Sequence, residues 1–331
     1  MKIAIVKLSA LGDIIHAMVV LQFIKKINKE ILIDWIVEER YKDLLEFHPD
    51  INKVHFISLK KAKKKKSILV LIREFKKVNK LPPYDLVIDM QGLLKSAIIA
   101  RIIPSKIILG FDSSSLREHL ASIFYNKTFN YDYAENIVER NFELIKFALK
   151  LPINKEDINH KLPFLFVYKH YEASILSKTK KNVILIPGAS HISKRYPPEK
   201  FSKLVNLLDA NYLVIWGDLE EKLIAEKIKS LSPDVSICNR MTLSSLVSLV
   251  SQVDLVIGPD TGPTHIAWAL NIPSITLFGS TPGHRNTYVT KINKIIESNS
   301  IVNTYKIDKK DYSIRDIDEQ EISHIAKSIL P

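Results

Sequence analysis

The chain has 331 residues, 46% hydrophobic and 25% charged, with a net charge of +12, which is the composition of a soluble globular protein long enough for two cores. Its single cysteine, Cys238, excludes an internal disulfide framework and a cysteine-rich metal site, and fits a reducing cytoplasm. No run reaches the ~18 uninterrupted apolar residues of a membrane span, so a protein neither secreted nor integral is expected, and the basic excess calls for an anionic partner: nucleic acid, an acidic membrane surface or a phosphorylated substrate.

Lys2 to Lys7 reads as a buried first strand, followed by the small-residue turn Ser9-Ala10-Leu11-Gly12 and by Asp13 at the start of an apolar-periodic helix. A carboxylate therefore sits at a strand's carboxyl end. Taken alone it serves equally well as a helix cap; beside a phosphate-binding element it becomes a candidate general base. Further strands are predicted at 31–37, 54–57, 86–89 and 106–109, and helices at 68–78 and 95–102. Directly after 54–57, six lysines fill seven positions from Lys60 to Lys66, which reads either as a solvated flexible loop or as a clamp for phosphates. The run has no interleaved aromatics, and no zinc-finger or helix-turn-helix pattern lies nearby, so a phosphate-bearing surface fits better than nucleic acid.

Pattern weakens from 151 to 181, where Pro152, Pro163 and a lysine-rich stretch mark a linker. Alternation then restarts with strands at 183–186, 212–216, 235–237, 255–257 and 274–278 and helices at 199–208, 220–229, 243–250 and 264–270. The expected fold is α/β: a first Rossmann-like domain over 1–165, a second over 166–315, and a C-terminal helix within 316–331 that packs on one domain or bridges both. Ligands of such sheets lie beyond the carboxyl ends of the strands, so two domains facing each other would hold the active site in the cleft between them.

The most informative segment runs from the strand at 255–257 into Gly258-Pro259-Asp260-Thr261-Gly262-Pro263-Thr264-His265. Gly262 allows close backbone approach, Pro263 suits a first helical position and the following amides favour an anion, so this is a phosphate seat with Thr261, Thr264 and His265 as side-chain donors. The loop Pro187 to Lys194 adds Ser190 and Lys194, and the turn Trp216 to Glu221 adds carboxylates suited to ribose hydroxyls or to helix capping. Met241 lies before another helix, where it either meets a flat base or packs in the core. Neither G-x-G-x-x-G at the start of the first domain nor G-x-x-x-x-G-K-[ST] is present, which argues against a dinucleotide oxidoreductase and a P-loop NTPase. The one Asp-x-Asp, Asp316-Ile317-Asp318, lies far from these loops. Leaving-group charge would then be met by Lys194 and the helix start at Pro263, the design of a metal-independent nucleotide-sugar transferase.

Five segments together resemble one family: Ile5 to His16, Asp34 to Glu39, Val87 to Ala97, Arg117 to Asn126, and Asp260-Thr261-Gly262-x-x-His265. They are similar to the bacterial lipopolysaccharide heptosyltransferases of glycosyltransferase family 9, and within it to the branch that adds the first heptose. The resemblance covers nearly the whole chain. It implies a GT-B fold and inverting transfer of L-glycero-D-manno-heptose from ADP-heptose to the Kdo residue of Kdo-lipid A, without a metal or other cofactor. It implies Asp13 as catalytic base and Lys194 as the neutraliser of donor phosphates. On the donor side it implies Ser9, Gly12, Ser190, Lys194, Glu221 (or Glu220), Met241, Asp260, Thr261, Gly262 and His265. On the acceptor side it implies His16, Lys60, Lys61, Lys63, Lys64 and Arg117, with the protein cytoplasmic and peripheral at the inner membrane.

Two segments depart from the family pattern. Gly279 to Arg285 stands where a Gly-Pro-Thr-Asp-Pro loop is usual, and Tyr196 stands where tryptophan is common. The alternatives are a second-type heptosyltransferase acting on an existing heptose, another GT-B ADP-sugar transferase, and a non-catalytic basic module binding nucleotides or nucleic acid.

Overall fold

Short runs of branched aliphatic residues form the strands of both halves, and most are buried on both faces, as parallel sheets flanked by helices require. The structure is a computed structural model that describes residues 1–64, 66–167 and 174–330. The chain divides into two units, Met1–Phe166 and Val167–Pro331.

In the first unit the order is β1 (Lys2–Val6), α1 (Leu11–Met18), α2 (Val20–Ile27), β2 (Leu32–Glu38), α3 (Lys42–Leu45), β3 (Lys53–Ile57), α4 (Leu59–Lys64), α5 (Ile68–Asn79), β4 (Leu86–Asp89), α6 (Leu94–Ile102), β5 (Ile108–Phe111), β6 (Lys127–Phe129) and α7 (Ile137–Leu149). The second unit continues with β7 (Asn182–Leu185), α8 (Pro198–Val205), β8 (Asn211–Val214), α9 (Leu219–Leu231), β9 (Ser236–Ile237), α10 (Leu243–Val250), β10 (Leu255–Pro259), α11 (Gly262–Ala269), β11 (Ser274–Phe278), α12 (Gly283–Asn286), β12 (Asn293–Glu297) and α13 (Glu319–Ile329).

The sheet orders are β3-β2-β1-β4-β5-β6 and β12-β11-β10-β7-β8-β9, and every pairing is parallel. Counted from each unit's own first strand, both have the doubly wound Rossmann order. The winding therefore reverses between β1 and β4 in one unit and between β7 and β10 in the other. At those two points the loops leave in opposite directions and open a crevice above the strand ends.

Each sheet is fixed to its helices by a few large side chains. Trp35 is fully buried and its indole N–H donates to the Lys7 carbonyl at 3.2 Å. Phe23 of α2 meets Phe142 of α7 edge-on, with centroids 5.1 Å apart. In the second unit Tyr196 packs edge-on against Phe201 at 5.1 Å and donates its hydroxyl to the Ile317 carbonyl at 3.0 Å. That bond anchors the segment leading to α13, whose Ile322, Ala326 and Ile329 complete the core beside α8.

Several expectations are corrected at their edges. The second strand is shifted one residue to Leu32–Glu38, and the fifth moves from 106–109 to Ile108–Phe111. The helix expected over 199–208 ends at Val205, and that expected from Thr264 begins at Gly262. The strands β6 and β12 and the helix α7 were not predicted. β6 is a three-residue, largely exposed edge with no apolar alternation, and β12 is the corresponding edge of the other sheet. The lysine run is not a loop over its first part: α4 covers Leu59–Lys64 with Ala62 buried. Within the expected linker, Lys155–His160 forms a 3-10 helix, while 168–173 lie outside the described residues.

Gly258 shows how tightly the second crevice is built. A Cβ there would lie 2.6 Å from the Ile186 Cβ and 3.1 Å from the Ile186 carbonyl oxygen, so the seam between β7 and β10 would have to part. Gly258→Ala is expected to lower stability by about 1–3 kcal/mol, seen as a reduced urea midpoint. An unchanged midpoint would show that the seam yields without cost.

Candidate functional site

In the second unit, β10 delivers Asp260 to the crest of the sheet and α11 starts two residues later. Four groups converge on the Asp260 carboxylate: Lys194 Nζ at 2.6 Å and Thr281 Oγ1 and Asn286 Nδ2 each at 3.2 Å on Oδ2, and His265 Nε2 at 3.1 Å from Oδ1. Lys194 is only 7% exposed and His265 only 4%. Burial disfavours the Asp260 charge, but the Lys194 ammonium and the His265 hydrogen bond outweigh it and hold the carboxyl well below the ordinary carboxylate range. Asp260 is thus a hub with four partners, and it fixes the positions of Lys194 and His265 at the start of α11.

Of the other donors expected here, Thr261 is the N-cap residue of α11 but makes no side-chain cap to it. Gly262 opens the helix. Thr264 is a correction: its hydroxyl donates to the Pro259 carbonyl at 2.8 Å and is buried, so it closes the strand end and is not presented to a ligand. Thr281 and Asn286 were missed by sequence reasoning. They come from the atypical segment after β11, and the available signal was its position just beyond a strand's carboxyl end.

The loops after β7 and β8 meet next to this hub. Gly188 lies under the Glu221 carboxylate so closely that any Cβ would collide with it, and Glu221 Oε2 accepts from the Gly217 amide at 2.7 Å. Glu220 points elsewhere and forms a two-pronged pair with Arg195, at 2.7 and 3.1 Å. The geometry therefore distinguishes the two glutamates: Glu221 is the one over the β7 loop. Asp218 caps α9 by accepting from the Glu221 amide at 3.0 Å. Ser190 is exposed in the β7 loop, and Met241 is half-buried just before α10.

In the first unit the corresponding crest carries Ser9, Gly12 and Asp13. Asp13 is exposed in the first turn of α1, where its carboxylate accepts from the Ala10 amide at 3.0 Å. The preceding loop is held from β4: Gln91 Oε1 accepts from the Leu8 and Ser9 amides at 2.7 and 3.2 Å. Lys95 Nζ donates to Ser9 Oγ at 2.9 Å. Beneath Gln91, Asp89 accepts from the Gln91 and Gly92 amides and from the Tyr125 hydroxyl at 2.8 Å, while burial pushes its carboxyl upward. Glu38, at the end of β2, is also raised by burial and accepts from the Lys60 amide at 3.2 Å. Gln91, Lys95 and Glu38 were not singled out from sequence, although all follow or end strands of the crevice.

The expected acceptor residues are dispersed. Lys60, Lys61 and Lys64 are exposed on α4, and Arg117 is exposed between two 3-10 helices. Lys63 belongs to α4, but its side chain lies outside the described residues. His16 is buried within α1, among that helix's core-facing residues, so its ring is not offered to an acceptor. Among the described residues, no three His, Cys, Asp or Glu side chains converge as a metal site.

Residues 71–313 match the family model described as glycosyltransferase family 9 (heptosyltransferase). The chain belongs to this family. It is 40% identical to lipopolysaccharide heptosyltransferase 1 of Campylobacter coli, over 99% of each chain. It is 28% identical to lipopolysaccharide heptosyltransferase 1 of Pseudomonas aeruginosa over 87% of this chain and 81% of that one. The solved structure of the E. coli heptosyltransferase WaaC with ADP superposes with a TM-score of 0.81 at 23% identity, covering 99% of both chains. The α/β fold is that of the GT-B glycosyltransferases, with two Rossmann-like halves of six parallel strands.

The hub makes acid stability a readout for this glycosyltransferase. Because the folded Asp260 carboxyl titrates below its unfolded value of about 3.9, the stability it contributes is complete above that pH and is lost as pH falls toward the folded value. Thermal melts from pH 7 to pH 2 should show the steepest loss below about pH 4. Asp260→Asn should flatten that acid limb; an unaltered limb would mean that the hub carries no proton-linked stability.

Proposed function

We propose that this family 9 enzyme is a heptosyltransferase of the first type, moving L-glycero-D-manno-heptose from ADP-heptose onto the Kdo residue of Kdo-lipid A in lipopolysaccharide core assembly. The observation that carries this reading is the 40% identity to lipopolysaccharide heptosyltransferase 1 over essentially the full length of both chains. The donor belongs on the second unit. There the start of α11, Thr261, Gly262 and the Lys194 ammonium receive the diphosphate. Glu221 receives the ribose hydroxyls above Gly188, and Met241 lies against the adenine. Asp260 acts by positioning Lys194 and His265.

On the first unit Asp13 is the base. The acceptor hydroxyl oxygen bonds to the anomeric carbon from the face opposite the leaving group, the bond from that carbon to the β-phosphate oxygen breaks, and the hydroxyl proton passes to Asp13. Its carboxylate suits the task because it is exposed and its Oδ2 accepts a local bond from the Ala10 amide. Negative charge developing on ADP is met by Lys194 and α11. Lys60, Lys61, Lys64 and Arg117 receive the anionic groups of the acceptor. Since no helix among the described residues is long and apolar enough to cross a membrane, the enzyme would reach its lipid-borne acceptor as a peripheral protein at the cytoplasmic face of the inner membrane.

The deciding assay follows ADP release and acceptor mass with ADP-heptose, in EDTA, using Kdo-lipid A and heptosylated Kdo-lipid A separately. Product only with the first acceptor is expected. Product only with the second would reassign the enzyme to the second type, and none with either would overturn the donor or the metal-free mechanism. Asp13→Asn is expected to lower kcat by at least a hundredfold with donor affinity nearly unchanged, whereas Glu221→Gln should raise the donor KM more than it lowers kcat. Retained turnover in Asp13→Asn would remove Asp13 from the role of base.

A further inference from the structure

The helix α5 carries a feature that neither the sheet nor the chemistry uses. Its first two turns expose Ile68 and Leu69 at 70% and 73%, and Ile72 at 43%. Isolated exposed leucines are ordinary, but these three lie at helical spacings that bring them onto one face, and the face continues through Arg73, Lys76 and Lys80, all exposed. Leu69, Ile72, Arg73, Lys76 and Lys80 line one shallow depression. The apolar and basic residues are therefore segregated along the axis, with an apolar leading end and cations on the following turns. Immediately before the helix, α4 adds exposed Lys60, Lys61 and Lys64, and Lys66 is exposed in the turn between them.

A protein partner of ordinary composition would leave so dense a set of cations unmatched, and a polynucleotide would leave the apolar turns in water. An anionic bilayer matches both. Aliphatic side chains enter the acyl boundary while neighbouring cations meet phosphate headgroups, the arrangement by which amphipathic surface helices bind membranes. We propose that the exposed face of α5, led by Ile68, Leu69 and Ile72 and followed by Arg73, Lys76 and Lys80, is the surface that seats this protein on an anionic lipid bilayer. The proposal rests on the reading that the acceptor is lipid-borne, and it specifies which surface brings the enzyme to that lipid.

The test is co-sedimentation of the full chain with vesicles of phosphatidylethanolamine and phosphatidylglycerol, or of phosphatidylcholine alone, at about 0.1 M salt. Transfer is measured in parallel to a detergent-dispersed lipid acceptor and to its acyl-free saccharide. The wild type should bind the anionic vesicles and not the zwitterionic ones. Leu69→Glu/Ile72→Glu should weaken vesicle binding at least tenfold, and Arg73→Ala/Lys76→Ala by about fivefold per charge removed, with transfer to the acyl-free saccharide unchanged in both variants. Equal vesicle binding by wild type and Leu69→Glu/Ile72→Glu would overturn the assignment of this face. So would absence of vesicle binding together with self-association that the same variant abolishes, because the face would then join copies of the chain. Absence of transfer with intact, variant-sensitive vesicle binding would instead remove the proposed reaction and leave the docking surface standing.

Discussion

A doubly wound parallel sheet has to reverse its winding direction once, and in each unit of this chain that reversal positions the central polar groups of the crest. All strands of a unit point their carboxyl ends the same way, so the strand-to-helix loops all lie at one end of the sheet. Where the winding changes hand, between β1 and β4 and again between β7 and β10, neighbouring loops part. Asp13 and Gln91 flank the first of these openings; Lys194 and Asp260 flank the second. The purely parallel pairing, with aliphatic residues filling both faces, makes the rest of each unit rigid enough to hold such loops within hydrogen-bond tolerances.

Within the second opening the Asp260 hub resolves an electrostatic problem. A buried ammonium without a counter-ion would lose its charge or its position. Lys194 is held in position by the 2.6 Å pair with Asp260, and Thr281 and Asn286 donate to the same carboxylate oxygen. The carboxylate is tied to these donors, and the cation is already oriented. Preorganisation of this kind removes from the reaction the cost of gathering charges at the moment when they are needed. The first opening is arranged differently. There Gln91 and Lys95 fix the loop ahead of α1, while Asp13 itself stays exposed.

How much of this was legible in the sequence depended on whether a residue's role was set locally. The strands of both sheet centres are continuous aliphatic runs and could be read directly. The edge strand Lys127–Phe129 could not, because three largely exposed residues paired to a neighbour leave no apolar period. Asp260 and Lys194 were visible as residue types at strand ends, but their pairing across 66 positions was not. The same limit hid Thr281 and Asn286, which belong to the hub only because β11 lies beside β10. Thr264 was misread for the opposite reason: its neighbours suggested a ligand donor, and a bond to a carbonyl five residues back takes the hydroxyl away.

The two glutamates at the start of α9 show what three dimensions add to a motif. In sequence Glu220 and Glu221 are adjacent acids in a helix's first turn, equally favoured by the dipole and equally suited to a ribose. Successive helical residues point about 100° apart, so only one can turn toward the loop after β7. Arg195, held next to Lys194, takes Glu220 outward as a surface pair, and Gly188 provides the space that Glu221 fills. A side chain at 188 would have to displace the Glu221 carboxylate from that space. The selection of one carboxylate thus depends on an absent Cβ and a cation that both belong to the loop between β7 and α8, outside the helix that carries the glutamates.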